Sequence, residues 1–169
     1  MSTANRRILI IDDNRAIHQD FTKILGPGDA PDLKLTALED ELFGVAAPAV
    51  EKEGFEITTA FQGEEAFAMV RAAEGEGRPF AMAFVDVRMP PGWDGIETIS
   101  RIWEASPNLQ TVICSAYSDY SWEQIIERLG KSDRLLILRK PFDPVEVQQF
   151  ACNLTEKWNK LRQPFGVAA

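Results

Sequence analysis

The stretch FVDVRMPPGWDG, Phe84 to Gly95, decides how the rest of the chain is read. The apolar run AMAFV (81 to 85) ends in a single carboxylate, Asp86, and the chain then breaks at Met89-Pro90-Pro91-Gly92. A short apolar run bounded by turn residues is the pattern of a strand covered on both faces, as in a parallel sheet. Four more such runs lie along the chain: RILII (7 to 11), FEITTA (55 to 60), TVICS (111 to 115) and LLILR (135 to 139).

Helical patterns separate these runs. Ile17, Phe21, Ile24 and Leu25 make one apolar stripe, ending at Gly26-Pro27; Ala66, Phe67 and Val70 make a second, after Gly63. Ile96, Ile99 and Trp103 make a third; Trp122, Ile125, Ile126 and Leu129 make a fourth, closed by Gly130. The alternation of strand and helix predicts an α/β fold, a doubly wound five-stranded parallel sheet with helices on both faces.

Two regions exceed that plan. Residues 27 to 50 form an insertion between the first helix and the second strand, in which Leu38, Leu42 and Phe43 suit a short amphipathic turn. Val147, Phe150, Ala151, Leu154, Trp158 and Leu161 continue a helical stripe toward the last residues. The expected division is a domain over residues 1 to 155, carrying the insertion, and a C-terminal helix extension or linker start over 156 to 169.

The 169 residues suffice for one domain with a substantial core, and the hydrophobic fraction of 45% is that of a globular protein. The net charge of -8 weighs against phosphate backbones and anionic membranes as direct partners. No apolar run approaches the roughly 18 residues of a membrane span, and MSTANRR leads to the first strand without a signal-peptide core, so cytoplasmic location is the expectation. Cys114 and Cys152 read as small buried hydrophobes, not a disulfide framework.

Ligands of parallel α/β sheets gather at the carboxyl ends of the strands. Here RILII ends in Asp12-Asp13, AMAFV in Asp86, TVIC in Ser115 and LLILR in Lys140. Three converging carboxylates repel one another unless a cation joins them, and oxygen donors shared with water or phosphate suit Mg²⁺. Lys140 adds an ammonium and Ser115 a hydroxyl donor for a phosphoryl group, and a carboxylate such as Asp86 can act as the nucleophile that accepts it.

IIDDN, FVDVRMPPGWDG, CSA and RKPF, in this order, resemble the motifs of a response-regulator receiver domain of the chemotaxis-regulator type, found in two-component signal transduction. The resemblance covers residue 7 to about residue 155, interrupted mainly by the insertion. It implies a flavodoxin-like strand order 2-1-3-4-5 and a phosphoacceptor role for Asp86. It also implies Mg²⁺ held by Asp13 directly, Asp12 through water, Asp86 and the backbone carbonyl of Arg88. Ser115 matches the hydroxyl that reorients toward the phosphoryl group and Lys140 its ammonium partner, with a cis peptide at Lys140-Pro141. The implied partner is a histidine kinase or histidine phosphotransfer protein.

The chain departs from the family at Ile137, where an aromatic switch residue is common, and in its additional loop proline. Arg88 and Tyr117 occupy the two variable places that tune phosphoryl lifetime in the family. In style the chain is similar to receivers at the front of multidomain signalling proteins, so excision from a larger protein is expected, with a stand-alone relay carrier as the alternative. The last helix then serves as a linker toward an output domain or as a homodimer seam.

Blander readings stand beside these. Asp12-Asp13 alone reads as a helix N-cap, and His18 as a solvent-facing or capping residue beside core-facing Ile17. Trp93 and Trp122 read as packing or rim residues. Two other functions compete: a phosphorylation-independent interaction module on the same fold, and an aspartate-based Mg²⁺ phosphatase. The phosphatase normally has a second acid two residues past its nucleophile, where this chain has Arg88. The expectation is a signalling domain that assists only its own phosphorylation and dephosphorylation, without direct nucleic acid contact.

Overall fold

A computed structural model of the chain describes residues 4 to 26, 54 to 116 and 121 to 161. The insertion, with its expected amphipathic turn, and Tyr117 lie outside the described residues. Ten elements alternate along the chain: β1 (Arg7–Ile11), α1 (Arg15–Leu25), β2 (Glu56–Ala60), α2 (Gly63–Gly75), β3 (Met82–Asp86), α3 (Gly95–Ala105), β4 (Gln110–Ser115), α4 (Trp122–Leu129), β5 (Leu135–Arg139) and α5 (Pro144–Leu161). The five strands form one parallel sheet in the order β2-β1-β3-β4-β5, as expected.

Successive strand side chains point to opposite faces, and two hydrophobic clusters result. Leu9, Ile11, Val85 and Ile113 join Ala66, Val70, Ile96, Ile99 and Ile125, so α2, α3 and α4 cover one face. Ile8, Ile10, Phe84 and Val112 join Phe21, Leu25, Val147, Ala151 and Leu154, so α1 and α5 cover the other. The central strands β3 and β4 are buried throughout, which is why they read as unbroken apolar runs. The edge strands β2 and β5 are only partly covered, leaving Glu56, Leu136 and Arg139 exposed.

Several local expectations change. The N-cap of α1 is Asn14, whose side chain accepts from the Ala16 amide; Asp12 instead accepts from the Asn14 amide at 2.9 Å. The acid pair therefore precedes the helix instead of capping it. His18 is buried, its ring 4.6 Å from that of Phe61, and its Nε2 has no hydrogen-bond partner among the described residues. Cys114 is buried and Cys152 exposed, because Cys152 follows Ala151 by about 100° around α5 and leaves the packed stripe.

Gly130 closes α4 with φ 77°, a left-handed conformation in which glycine has no Cβ penalty. Trp93 is half-buried, edge-on to Phe67 at 5.9 Å and under the Arg101 guanidinium; Trp122 lies exposed on the rim. The helix α5 runs without a break across residue 155, and Trp158 is buried. Asn159 accepts from the Asn5 amide at 2.8 Å and donates to the Asn5 carbonyl at 3.0 Å. No helix among the described residues is long and apolar enough to cross a membrane.

Candidate functional site

Parallel register aligns the strand ends and with them the polar residues that follow. Ile11 pairs with Ala60 and Val85, and the next amide, that of Asp12, donates to the Ala60 carbonyl at 3.1 Å. Asp86 pairs with Cys114, and Ser115 with Arg139, so the Lys140 amide reaches the Ser115 carbonyl at 2.9 Å. One edge of the sheet thus carries Asp12, Asp13, Asp86, Ser115 and Lys140.

Oxygens of Asp12, Asp13 and Asp86 lie within 4.8 Å of one another. The Lys140 ammonium donates to Asp86 Oδ1 at 3.1 Å and to Asp12 Oδ2 at 3.3 Å. Asp12 is 2% exposed and Asp86 9% exposed, whereas Asp13 faces solvent. Burial, then the charge of Asp12, raises the Asp86 carboxyl above its ordinary value, against the pull of Lys140. Burial and Asp12 likewise raise Asp13. Burial would lower the Lys140 ammonium, but the charges of Asp12 and Asp86 outweigh it and hold it above its ordinary value.

Among the described residues the Lys140 ammonium is the cation paired with these three crowded carboxylates, and a hard divalent cation fits that oxygen donor set. Ser115 is buried, and its hydroxyl donates to the Ala116 carbonyl at 2.9 Å. Arg88 is exposed two residues beyond Asp86, in the loop that leaves the cluster. Ile137, at the expected aromatic position, is half-buried against the core. The peptides Pro90-Pro91 and Lys140-Pro141 are both cis.

Two residues of the surrounding frame escaped the sequence reading. A Cβ on Gly95 would lie 2.4 Å from the Asp86 carbonyl oxygen, so only glycine lets α3 start this close to the carboxylate's own backbone. Asp94 caps α3 through the Glu97 amide and also accepts from Arg128 of α4 at 3.1 Å. The cap was readable, as an acid directly before an apolar helical stripe, but its partner on another helix was not.

The family model of the response regulator receiver domain matches residues 39 to 151, more than half of the chain. That match leaves out β1, which the sheet register nevertheless brings to the site. No protein with a curated description matches the sequence. Among solved structures, a CheY-like response regulator receiver domain protein from Methanospirillum hungatei JF-1 aligns with TM-score 0.64 and 20% identity, covering 93% of this chain and 98% of that one. A response regulator receiver protein from Sinorhizobium medicae WSM419 aligns with TM-score 0.61 and 21% identity over 93% and 99%. The signal receiver domain of an HD domain-containing protein from Pseudomonas fluorescens Pf-5 reaches TM-score 0.66 at 15% identity, over 96% and 95%. These likenesses show a common fold, and with the family match over most of the sheet they establish that the chain belongs to the response regulator receiver domain family.

Proposed function

We propose that this chain is the phosphoacceptor of a two-component phosphorelay, switched by phosphorylation of Asp86. The observation that carries the reading is the Lys140 ammonium bridging Asp86 and Asp12 beside Asp13, at an edge where Ser115 also ends its strand. The donor of the phosphoryl group is a phosphohistidine of a partner kinase or phosphotransfer protein. A carboxylate oxygen of Asp86 forms the new bond to phosphorus; the bond from phosphorus to the histidine nitrogen breaks, its electron pair leaving with the imidazole.

Asp12, Asp13, Asp86 and the backbone carbonyl of Arg88 would hold Mg²⁺. When bound, the ion neutralises the crowded carboxylates and the charge of the phosphoryl oxygens. Lys140 pairs with a phosphoryl oxygen once Asp86 carries the acyl phosphate, and the Ser115 hydroxyl turns from the Ala116 carbonyl to donate to another. The chain in this reading assists its own phosphorylation and dephosphorylation and converts no outside substrate. Its cytoplasmic setting follows from that role, and its output belongs to a partner or to a further domain of a larger signalling protein.

Intact-mass spectrometry with a small phosphodonor and Mg²⁺ tests the reading. The expected result is a single phosphoryl adduct that requires Mg²⁺ and is absent in Asp86→Asn. A folded wild-type chain that takes up no phosphoryl group would instead favour a phosphorylation-independent interaction module.

A further inference from the structure

The loop from β3 to α3 leaves the carboxylate cluster at Arg88 and returns beside it at Gly95. Its base is tied by backbone alone: the Val87 amide donates to the Cys114 carbonyl at 3.2 Å, and the Gly95 amide donates to the Val87 carbonyl at 2.8 Å. Met89 holds the outgoing limb, buried in the same hydrophobic cluster as Val87, Ile96 and Ile99. The tip, Pro90-Pro91-Gly92, is exposed. Gly92 lies beside Gln62 at the start of α2, but Gln62 Oε1 has no hydrogen-bond partner among the described residues, so this oxygen gives the tip no polar hold.

The returning limb is held by Trp93. Its ring meets that of Phe67 on α2 edge-on, centroids 5.9 Å apart, and the Arg101 guanidinium on α3 lies 5.4 Å from its centre. Both separations fall where aromatic pairs and cation–π contacts attract. Arg101 is itself fixed, donating from Nε to Glu97 at 3.0 Å. The indole is thus wedged between two helices that pack on one face of the sheet, immediately before Asp94 and Gly95 close the loop.

We propose that Trp93 is a positioning residue for the Mg²⁺ site: by clamping the returning limb to α2 and α3, it fixes the loop that offers the Arg88 carbonyl. The inference rests on the Mg²⁺ site of the proposed function. Asp12, Asp13 and Asp86 stand at strand ends that the sheet register fixes, whereas Arg88 belongs to the loop. A loop that is competent for only a fraction of the time weakens binding by that fraction. Loss of an outer partner that orients a metal ligand costs about tenfold or more in affinity.

The test compares the full chain with Trp93→Ala, Trp93→Phe and Phe67→Ala, without phosphodonor. In metal-free buffer, hydrogen exchange of the Arg88, Met89 and Gly92 amides should quicken in Trp93→Ala and Phe67→Ala. Calorimetric titration should then show Mg²⁺ bound about tenfold more weakly by both. Trp93→Phe should stay within about twofold of wild type, because the smaller ring still meets Phe67 and Arg101. Unchanged exchange in Trp93→Ala would overturn the clamp. Quicker exchange with unchanged Mg²⁺ affinity would make Trp93 a loop anchor only and overturn the positioning role. A loss in Trp93→Phe as large as in Trp93→Ala would overturn the aromatic contact as its cause. A wild-type chain that binds no Mg²⁺ would defeat the metal reading of the acids and the positioning role together, whereas equal binding by wild type and variants would defeat the positioning role alone.

Discussion

Lys140 offsets the charges of Asp12 and Asp86 at the carboxylate edge, donating to one oxygen of each. Its loss should be felt without any phosphoryl chemistry. In a metal-free buffer at neutral pH, Lys140→Met is expected to lower stability by about 3 kcal/mol, since two buried carboxylates lose their ammonium. The pH dependence has a definite sign. Asp86 and Asp13 are held above their ordinary values, so their contribution to the fold is present below the unfolded carboxyl value and is lost as pH rises through the folded one. The raised Lys140 supports the fold below its unfolded value, and that support is lost only as pH rises through the folded one. That support depends on an ionised partner, so the penalty of Lys140→Met should shrink as pH falls and Asp86, held above its ordinary value, protonates, which urea unfolding at several pH values would show. That Asp12, Asp13, Asp86, Ser115 and Lys140 share one edge of the sheet was legible because each stands at or just after the end of a largely apolar run. His18 and Cys152 were misread because one residue along a helix turns a side chain by about 100°, finer than an apolar stripe resolves.

At the scale of elements, the start of α3 is the tightest fit around the site. Gly95→Ala would press a methyl group onto the Asp86 carbonyl. A loss of about 2 to 3 kcal/mol is expected, read as a lower urea midpoint, together with slower adduct formation because Asp86 itself must shift. All five strands and five helices were legible in outline, since buried strands read as unbroken apolar runs and the helices as spaced stripes. The burial of α4 was not. Its stripe of Trp122, Ile125, Ile126 and Leu129 looks like that of a well-seated helix, yet only Ile125 enters the core. A stripe records which residues share a face, not how near the sheet that face comes.

For the molecule as a whole, the five apolar runs predicted a parallel sheet without fixing neighbours; the order came from the resemblance carried by the strand-end motifs. The expected boundary at residue 155 was drawn where the motifs end, whereas α5 remains packed beyond it. Ending the chain after Thr155 should lower the melting temperature by roughly 10 °C, because burial of Trp158 alone is worth about 3 kcal/mol. Differential scanning fluorimetry of the shortened chain would show this, and an unchanged melting temperature would place the docking energy of α5 entirely before that residue. The reciprocal hydrogen bonds of Asn5 and Asn159 lie at the amino end of β1, a strand's length from the carboxylates at its other end. Two chain positions so far apart in sequence and so close in space are natural points to splice. A circular permutant joining them through a short glycine-serine bridge would leave the carboxylate edge untouched, and its new ends, opened at another surface turn, would give reporter proteins attachment points free of this pole.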